Sequence, residues 1–315
     1  MRSQYLHGVF TALFTPLLSD DPKRLRNSID YEKAKVMIDD LIAKGIDGIV
    51  PVGTTGQSAT LSPTQHLDFI RFVYEYVAGR CKIVAGAGSN CTRESVDMIL
   101  KIQEIAKIPV LCVTGFYNNP SRDGLKLHFE TLASETGADI VLYNVPGRTN
   151  SYLDAETVIE LAQIENIIGL KQAVDFKIGG EHREETLKVL EATKEVDFAL
   201  ISGEDDGLFQ LLKDGGKGII SATANIVEGA QKFLGICKSF ADGDLAEAEK
   251  LQAEVNPFVD MVFLRKSPMP LAHYFGSEIY QPLSPIAATP DGEAAVATLD
   301  SFAKENAPSL EKYHS

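Results

Sequence analysis

At 315 residues the chain is long enough for one large α/β domain or for two smaller ones. Apolar residues make up 44% of it and charged residues 23%, the ordinary balance of a globular protein. A net charge of −14 excludes nucleic acid and anionic membrane as electrostatic partners, and it requires that any anionic substrate be met by local positive charge.

The N-terminal stretch MRSQYLHGVF lacks the basic-then-apolar pattern of a secretory signal, and no apolar run approaches membrane-spanning length. Four scattered cysteines (Cys81, Cys91, Cys112, Cys237) form no CxxC, and no histidines stand at ligand spacing. A reduced, cytoplasmic setting with no metal site is the expectation.

Eight short β-branched runs recur along the chain: Val9–Thr15, Ile46–Val52, Lys82–Ala85, Ile108–Thr114, Asp139–Val145, Ile167–Lys171, Phe198–Ser202 and Gly218–Ala222. Their starts lie roughly 30 residues apart, with a shorter last gap, which is the length of a βα unit. The segments between them carry helical signals. Tyr31, Ala34, Ile38, Leu41 and Ile42 recur at helical period before Gly45, where a C-cap belongs. Ser62-Pro63-Thr64-Gln65 reads as a capping box with proline at the first helical position. Thr92, Ser121 and Asp154 are the expected caps of three further helices.

Strict β/α alternation predicts a parallel sheet, and eight units favour closure into a (β/α)8 TIM barrel over an open doubly wound sheet. Phe14-Thr15-Pro16-Leu17 after the first strand is no dinucleotide-binding turn. From about residue 226 the alternation stops. Leu251, Val255, Phe258, Val259 and Val262 suggest a long helix, followed by the Ser267–Pro270 break. The expectation is a catalytic barrel over 1–225 and a helical C-terminal region over 226–315, packed on it.

The chemistry should gather at the C-terminal ends of the strands. The run Ile167-Ile168-Gly169-Leu170-Lys171 ends a buried strand in an amine, and period-two alternation places Ile167, Gly169 and Lys171 on one face. Burial there disfavours the ammonium and frees neutral amine, the nucleophile that carbonyl carbon requires. A lysine snorkelling to solvent is the plainer alternative. Strand five brings Tyr143 to the same end by alternation with Val141, with Arg148 just beyond as a fork for a carboxylate. Gly53-Thr54-Thr55-Gly56 after strand two offers two hydroxyls and free N–H groups to a carboxylate. Phe116-Tyr117 after strand four is an exposed aromatic pair, either a subunit contact or a site phenol. The triplet Glu204-Asp205-Asp206 suits a helix N-terminus and repels phosphate, so small carboxylates are the expected ligands.

With these positions together, the chain resembles the dihydrodipicolinate synthase and N-acetylneuraminate lyase superfamily of class I pyruvate aldolases. The resemblance rests on GTTG at 53–56, AGAGSN at 85–90, FYN at 116–118, YNVPGRT at 143–149, GLK at 169–171, SGEDD at 202–206 and GIISATAN at 218–225. Thr54-Thr55 and Arg148 resemble the synthase branch. That branch joins pyruvate to aspartate semialdehyde, giving 4-hydroxy-tetrahydrodipicolinate on the way to diaminopimelate and lysine, without metal or cofactor.

The resemblance implies a Schiff base on Lys171 and proton transfer by Tyr143. Thr54 would relay protons to Tyr117, contributed by a neighbouring subunit. Thr55 and the Ile220 backbone would hold the pyruvate carboxylate, Gly203 would line the pocket, and Arg148 would take the second carboxylate. It also implies a homotetramer built as a dimer of dimers, and a lysine effector site at Ser58, Ala59, His66, Asn90, Glu94 and Phe116. Departures border these positions: Gln57 and Gln172 stand where glutamate is usual, Gly115 where proline is, and Pro63 and Phe116 where histidine and tyrosine are. Weakened lysine inhibition is the expectation. A sister aldolase acting on a sugar acid, or a silent keto-acid-binding relative, are the competing readings.

Overall fold

The computed structural model describes residues 1–314. In chain order the strands are β1 (Gly8–Ala12), β2 (Gly48–Val50), β3 (Lys82–Ile83), β4 (Ala85–Gly86), β5 (Val110–Val113), β6 (Ile140–Asn144), β7 (Ile167–Gln172), β8 (Ala199–Ser202) and β9 (Gly218–Ser221). The helices are α1 (Tyr31–Ala43), α2 (Pro63–Val77), α3 (Thr92–Ile105), α4 (Arg122–Thr136), α5 (Pro146–Thr149), α6 (Ala155–Leu161), α7 (Arg183–Thr193), α8 (Leu208–Asp214), α9 (Val227–Ala241), α10 (Leu245–Val262), α11 (Met269–Tyr274) and α12 (Gly292–Asn306). Every expected strand run is present, and the third is divided at Val84 into β3 and β4. The chain groups into two compact units, Met1–Val9 with Lys82–Ile220, and Phe10–Cys81 with everything from Ser221 onward.

In the first unit β4, β5, β6, β7, β8 and β9 pair in succession, each parallel to the next. The strands β6 and β7 are buried along their whole length, as a parallel sheet covered on both faces requires. Their pairing contains a bulge: Ile140 faces Ile167, but Val141 already faces Gly169. The extra residue, Ile168, breaks the strict alternation, so the shared face expected for Ile167, Gly169 and Lys171 holds only from Gly169 onward.

Several helices start where hydroxyl or carboxylate caps accept otherwise orphaned N–H groups. Ser121 accepts from the Gly124 N–H (3.3 Å) and Asp154 from the Thr157 N–H (2.8 Å). Thr92 is no cap. Cys91 holds that position without a side-chain bond, and the Thr92 hydroxyl is engaged instead with His128 Nδ1 of α4 (2.9 Å).

The second unit joins β1 and β2 in parallel register, Phe10 opposite Gly48 through Ala12 opposite Val50, to α1, α2 and the C-terminal helices. At α2 the capping box forms as the sequence requires: Ser62 Oγ accepts from the Gln65 N–H, and Gln65 Oε1 from the Ser62 N–H, both at 3.2 Å. Helix α10 begins at Leu245, earlier than its apolar stripe suggested, because Asp244 caps it through the Glu247 N–H (3.0 Å).

Gly169 is required by close approach. A Cβ there would lie 2.5 Å from the Ala199 carbonyl oxygen and 2.6 Å from Leu6, which is fully buried in the N-terminal 3-10 turn. Gly169→Ala is expected to destabilise the protein by about 1–3 kcal/mol through overpacking, read as a fall in thermal midpoint. An unchanged midpoint would show that β8 and the N-terminal turn yield freely.

Candidate active site

Tyr143 and Lys171 are register partners on adjacent parallel strands, so their side chains leave the sheet on the same side. Lys171 is 6% exposed and Tyr143 7%, and the Lys171 Nζ stands 4.4 Å from the centre of the Tyr143 ring. The ring's negative face attracts the amine when it is charged, and a phenol beside an amine has the chemistry to carry a proton. The next strand leaves room. A Cβ on Gly203, just beyond β8, would lie 3.0 Å from Lys171 Cε and 2.6 Å from the Ala173 Cβ. Any larger residue at 203 would therefore press on the amine's own stem.

The opposite face of the same strands is stapled down. Asn144 Nδ2 donates to Gln172 Oε1 (3.1 Å) and to the Leu153 carbonyl (3.0 Å), and Gln172 Nε2 donates to Thr186 Oγ1 on α7 (3.2 Å). Gln172 thus does not border the site. It points toward the helix layer, one residue out of phase with Lys171.

The loop carrying Arg148 is held from beneath. Thr114 Oγ1 at the end of β5 donates to Thr149 Oγ1 (3.2 Å), and Ser151 Oγ donates to the Gly115 carbonyl (2.6 Å). Arg148 itself is exposed on the short helix α5, which these bonds border on either side. Sequence reading passed over Asn144 and Ser151. The signal for them is a small polar residue one or two places from a strand end, which rarely stands out among loop residues.

Beyond Gly203, Glu204 is half-buried, and among the described residues none makes a hydrogen bond or ion pair with its carboxyl. Burial, then the charges of Asp205 and Asp206, push it up to about 7, against an opposing pull from Lys177 and Lys171. Lys177, on the loop after β7, pairs with Asp206 at 2.5 Å. The acidic triplet of the sequence is therefore not uniformly charged near neutrality.

In the second unit, the turn after β2 carries Thr54 and Thr55, the latter 7% exposed. The Thr15 hydroxyl donates to the Gly56 carbonyl (2.8 Å), and Gly56 sits where a Cβ would meet the Leu13 carbonyl oxygen at 2.8 Å. Ile220 is buried in β9, and Tyr117 is 93% exposed with φ at 73°. Of the expected effector residues, Glu94 accepts from Ser89 Oγ (2.9 Å), and the Asn90 carbonyl accepts from Asn118 Nδ2 (2.9 Å). Phe116 and Ser58 are half-buried, Ala59 is exposed and His66 is buried. Among the described residues no cluster of three or more His, Cys, Asp or Glu could hold a metal ion, and no helix is long and apolar enough to cross a membrane.

Residues 5–288 match the Dihydrodipicolinate synthetase family. This chain is a member of that family. A 4-hydroxy-tetrahydrodipicolinate synthase of Nitratidesulfovibrio vulgaris is 39% identical over 266 residues, 84% of this chain and 85% of the relative. Among solved structures, the Cyanidioschyzon merolae enzyme with lysine bound matches with a TM-score of 0.84 at 30% identity, covering 95% of this chain and 99% of the other. The Acinetobacter baumannii enzyme complexed with pyruvate matches with a TM-score of 0.83 at 29% identity over the same shares. The fold of the family, a (β/α)8 barrel with a helical C-terminal extension, is the fold of this chain.

Glu204 gives the family member a pH signature. Its folded-state value lies above the ordinary 4.5, so between about 4.5 and 7 the folded protein keeps a proton that the unfolded chain has lost. Stability from this group is complete below that window and falls as pH rises through it. Glu204→Gln is expected to raise the thermal midpoint at pH 8 relative to the parent while leaving it nearly unchanged at pH 4.5. An equal shift at both pH values would dissociate the effect from titration of this carboxyl.

Proposed function

We infer that this chain is a 4-hydroxy-tetrahydrodipicolinate synthase, condensing pyruvate with L-aspartate 4-semialdehyde in the route to diaminopimelate and lysine. The observation that carries the reading is the buried Lys171 amine set over the Tyr143 ring, with Gly203 leaving space beside it. The Lys171 amine adds to the keto carbon of pyruvate, and loss of water gives a protonated imine. That imine draws electrons from the methyl carbon, which releases a proton to Tyr143 and becomes an enamine. The enamine carbon attacks the aldehyde, and the amino group of the second substrate then displaces Lys171, closing the ring and freeing the enzyme.

Within this reading Thr54 relays protons between Tyr143 and Tyr117, and Tyr117 belongs to the site of a neighbouring copy in a dimer-of-dimers assembly. Its near-complete exposure and positive φ support a residue kept in place for a partner rather than for its own core. Thr55 and the Ile220 backbone take the pyruvate carboxylate, Gly203 lines the pocket, and Arg148 pairs with the carboxylate of the semialdehyde. Lysine acts as an effector through Ser58, Ala59, His66, Asn90, Glu94 and Phe116, as its presence in the Cyanidioschyzon merolae structure suggests. Its grip is weakened by Phe116, which has no hydroxyl, and by Glu94 already being engaged by Ser89. Gln172, facing α7, gives no support to a catalytically silent protein.

Borohydride reduction in the presence of pyruvate is expected to add the reduced pyruvyl mass to the peptide containing Lys171, and Lys171→Ala to abolish that adduct; mass unchanged in the parent would sink the mechanism. Arg148→Ala is expected to raise KM for aspartate semialdehyde by roughly tenfold or more, the scale of losing a charge-assisted pair, while leaving pyruvate trapping intact. If KM for the semialdehyde stays put, a sister aldolase with another aldehyde is the better reading.

A further inference from the structure

The loop that carries Arg148 is closed at its feet. Asn144, the last residue of β6, bonds both backbone groups of Leu153: its Nδ2 donates to the Leu153 carbonyl (3.0 Å) and its Oδ1 accepts from the Leu153 N–H (3.1 Å). Between these ends Thr149 and Ser151 are buried, Arg148 and Asn150 are exposed, and Tyr152 is half-buried. The buried residues tie the loop downward, toward the ends of β5 and β6. Tyr152 ties it sideways. Its ring lies against the His182 imidazole, with centroids 4.8 Å apart and planes tilted by 51°.

His182 belongs to a block that is itself anchored. It ends the loop after β7, where its N–H donates to the Asp175 carbonyl (2.9 Å) and its carbonyl accepts from the Thr186 N–H of α7 (3.0 Å). Arg183 beside it donates to the Phe176 carbonyl (3.3 Å) and pairs with Asp214 of α8. Phe176 is fully buried, at a place where a Cβ on Gly207 would lie 2.7 Å from its ring. The contact therefore joins the loop of Arg148 to the loop that follows Lys171. Its polar atoms add no bond to it. Tyr152 Oη and His182 Nδ1 are both buried, with no hydrogen-bond partner among the described residues. Burial, and then the charges of Glu185, Asp154, Glu181 and Glu156, raise the phenol far above its ordinary range, so the ring stays neutral. What remains is aromatic packing.

We propose that Tyr152 and His182 are positioning residues for Arg148: their ring contact sets the Arg148 loop against the loop after β7, and so fixes where the second substrate's carboxylate is held relative to the Lys171 amine. The proposal rests on the reading of Lys171 and Arg148 given above. Neither ring takes part in the chemistry. The contact works through the ring face, so a phenyl group at 152 serves as well as a phenol, and a methyl group does not. Pyruvate, held at Lys171, does not depend on it. The second substrate does, because its carboxylate meets the guanidinium on the braced loop.

The test measures KM for both substrates, borohydride trapping of pyruvate and thermal melting on the parent, Tyr152→Ala, Tyr152→Phe, His182→Ala and Arg148→Ala. Tyr152→Ala and His182→Ala are also each combined with Arg148→Ala. Each alanine variant at 152 or 182 is expected to raise KM for aspartate semialdehyde by roughly three- to tenfold, the scale of one aromatic pair, with pyruvate KM and trapping at parent values. Tyr152→Phe is expected to keep the parent's KM for both substrates and to melt no lower, since it retains the ring and sheds an unbonded buried hydroxyl. In the Arg148→Ala background neither alanine variant is expected to raise KM further, because no guanidinium is left to place. An unmoved semialdehyde KM in His182→Ala, an equal rise in pyruvate KM, or a fully additive loss on top of Arg148→Ala overturns the proposal. So does a Tyr152→Phe enzyme that behaves as Tyr152→Ala. Should Tyr152→Ala fail to fold, His182→Ala decides the question from outside the Arg148 loop. A parent that traps no pyruvate, or an Arg148→Ala enzyme with the parent's semialdehyde KM, overturns the functional reading and this proposal together. A raised KM in Arg148→Ala beside silent variants at 152 and 182 overturns this proposal alone.

Discussion

One amine and one phenol, set opposite each other on adjacent parallel strands, are what the first unit is built to hold. Parallel pairing fixes which side of the sheet each leaves from, and a slip of one residue would send Lys171 toward the helices. Three features guard against that slip. The bulge at Ile168 sets the register from Gly169 onward. Leu6 and the Ala199 carbonyl leave no room at Gly169 for any side chain. On the far face, the bonds from Asn144 to Gln172 and from Gln172 to Thr186 tie both strands to α7. The polar network on the outer face thus helps hold the register that keeps Lys171 beside Tyr143.

Most of this was legible in the chain, for physical reasons that can be named. Parallel strands covered on both sides are continuous apolar runs of limited length, which made β6 and β7 easy to find. Ser62 and Gln65 announced α2 because a capping box needs both residues at that spacing. Lys171 was visible because a cation at the end of such a run contradicts the cost of burying it. What escaped were consequences of contacts distant in sequence. The Thr92 hydroxyl looked like a cap until His128, on another helix, captured it. The bulge at Ile168 left no trace in composition, because isoleucine fits either face of a buried strand. Glu204 read as one of three acids suited to a helix N-terminus, yet burial and its two acidic neighbours make it the odd member.

Electrostatics around the amine are correspondingly uneven. Of the triplet, Glu204 has no hydrogen-bond or ion-pair partner for its carboxyl among the described residues, while the charge of Asp206 is already shared with Lys177. Below about 7 Glu204 carries a proton, so the amine faces less negative charge in weak acid than in weak base. In the reading proposed above, an anionic keto acid approaching Lys171 meets less repulsion in the first state. The chain as a whole is strongly acidic, so lowering charge locally by burial is a way to admit such a substrate without adding a cation that would compete for it.

The two glutamines that depart from the family's usual glutamate separate on the same chemical ground. Each amide uses both ends: Gln172 accepts from Asn144 and donates to Thr186, and Gln57 accepts from Tyr280 and donates to Thr15. The partners of the donating ends differ in kind. Thr186 offers a hydroxyl, which can rotate and become the donor, so a carboxylate at 172 could be satisfied without moving the backbone. Thr15 offers a carbonyl, which has only lone pairs, so a carboxylate at 57 has no arrangement that pairs every atom. Position 172 is therefore open to either residue without rearrangement, while a glutamate at position 57, the family's usual residue, needs a proton or a second donor that Gln57 does not.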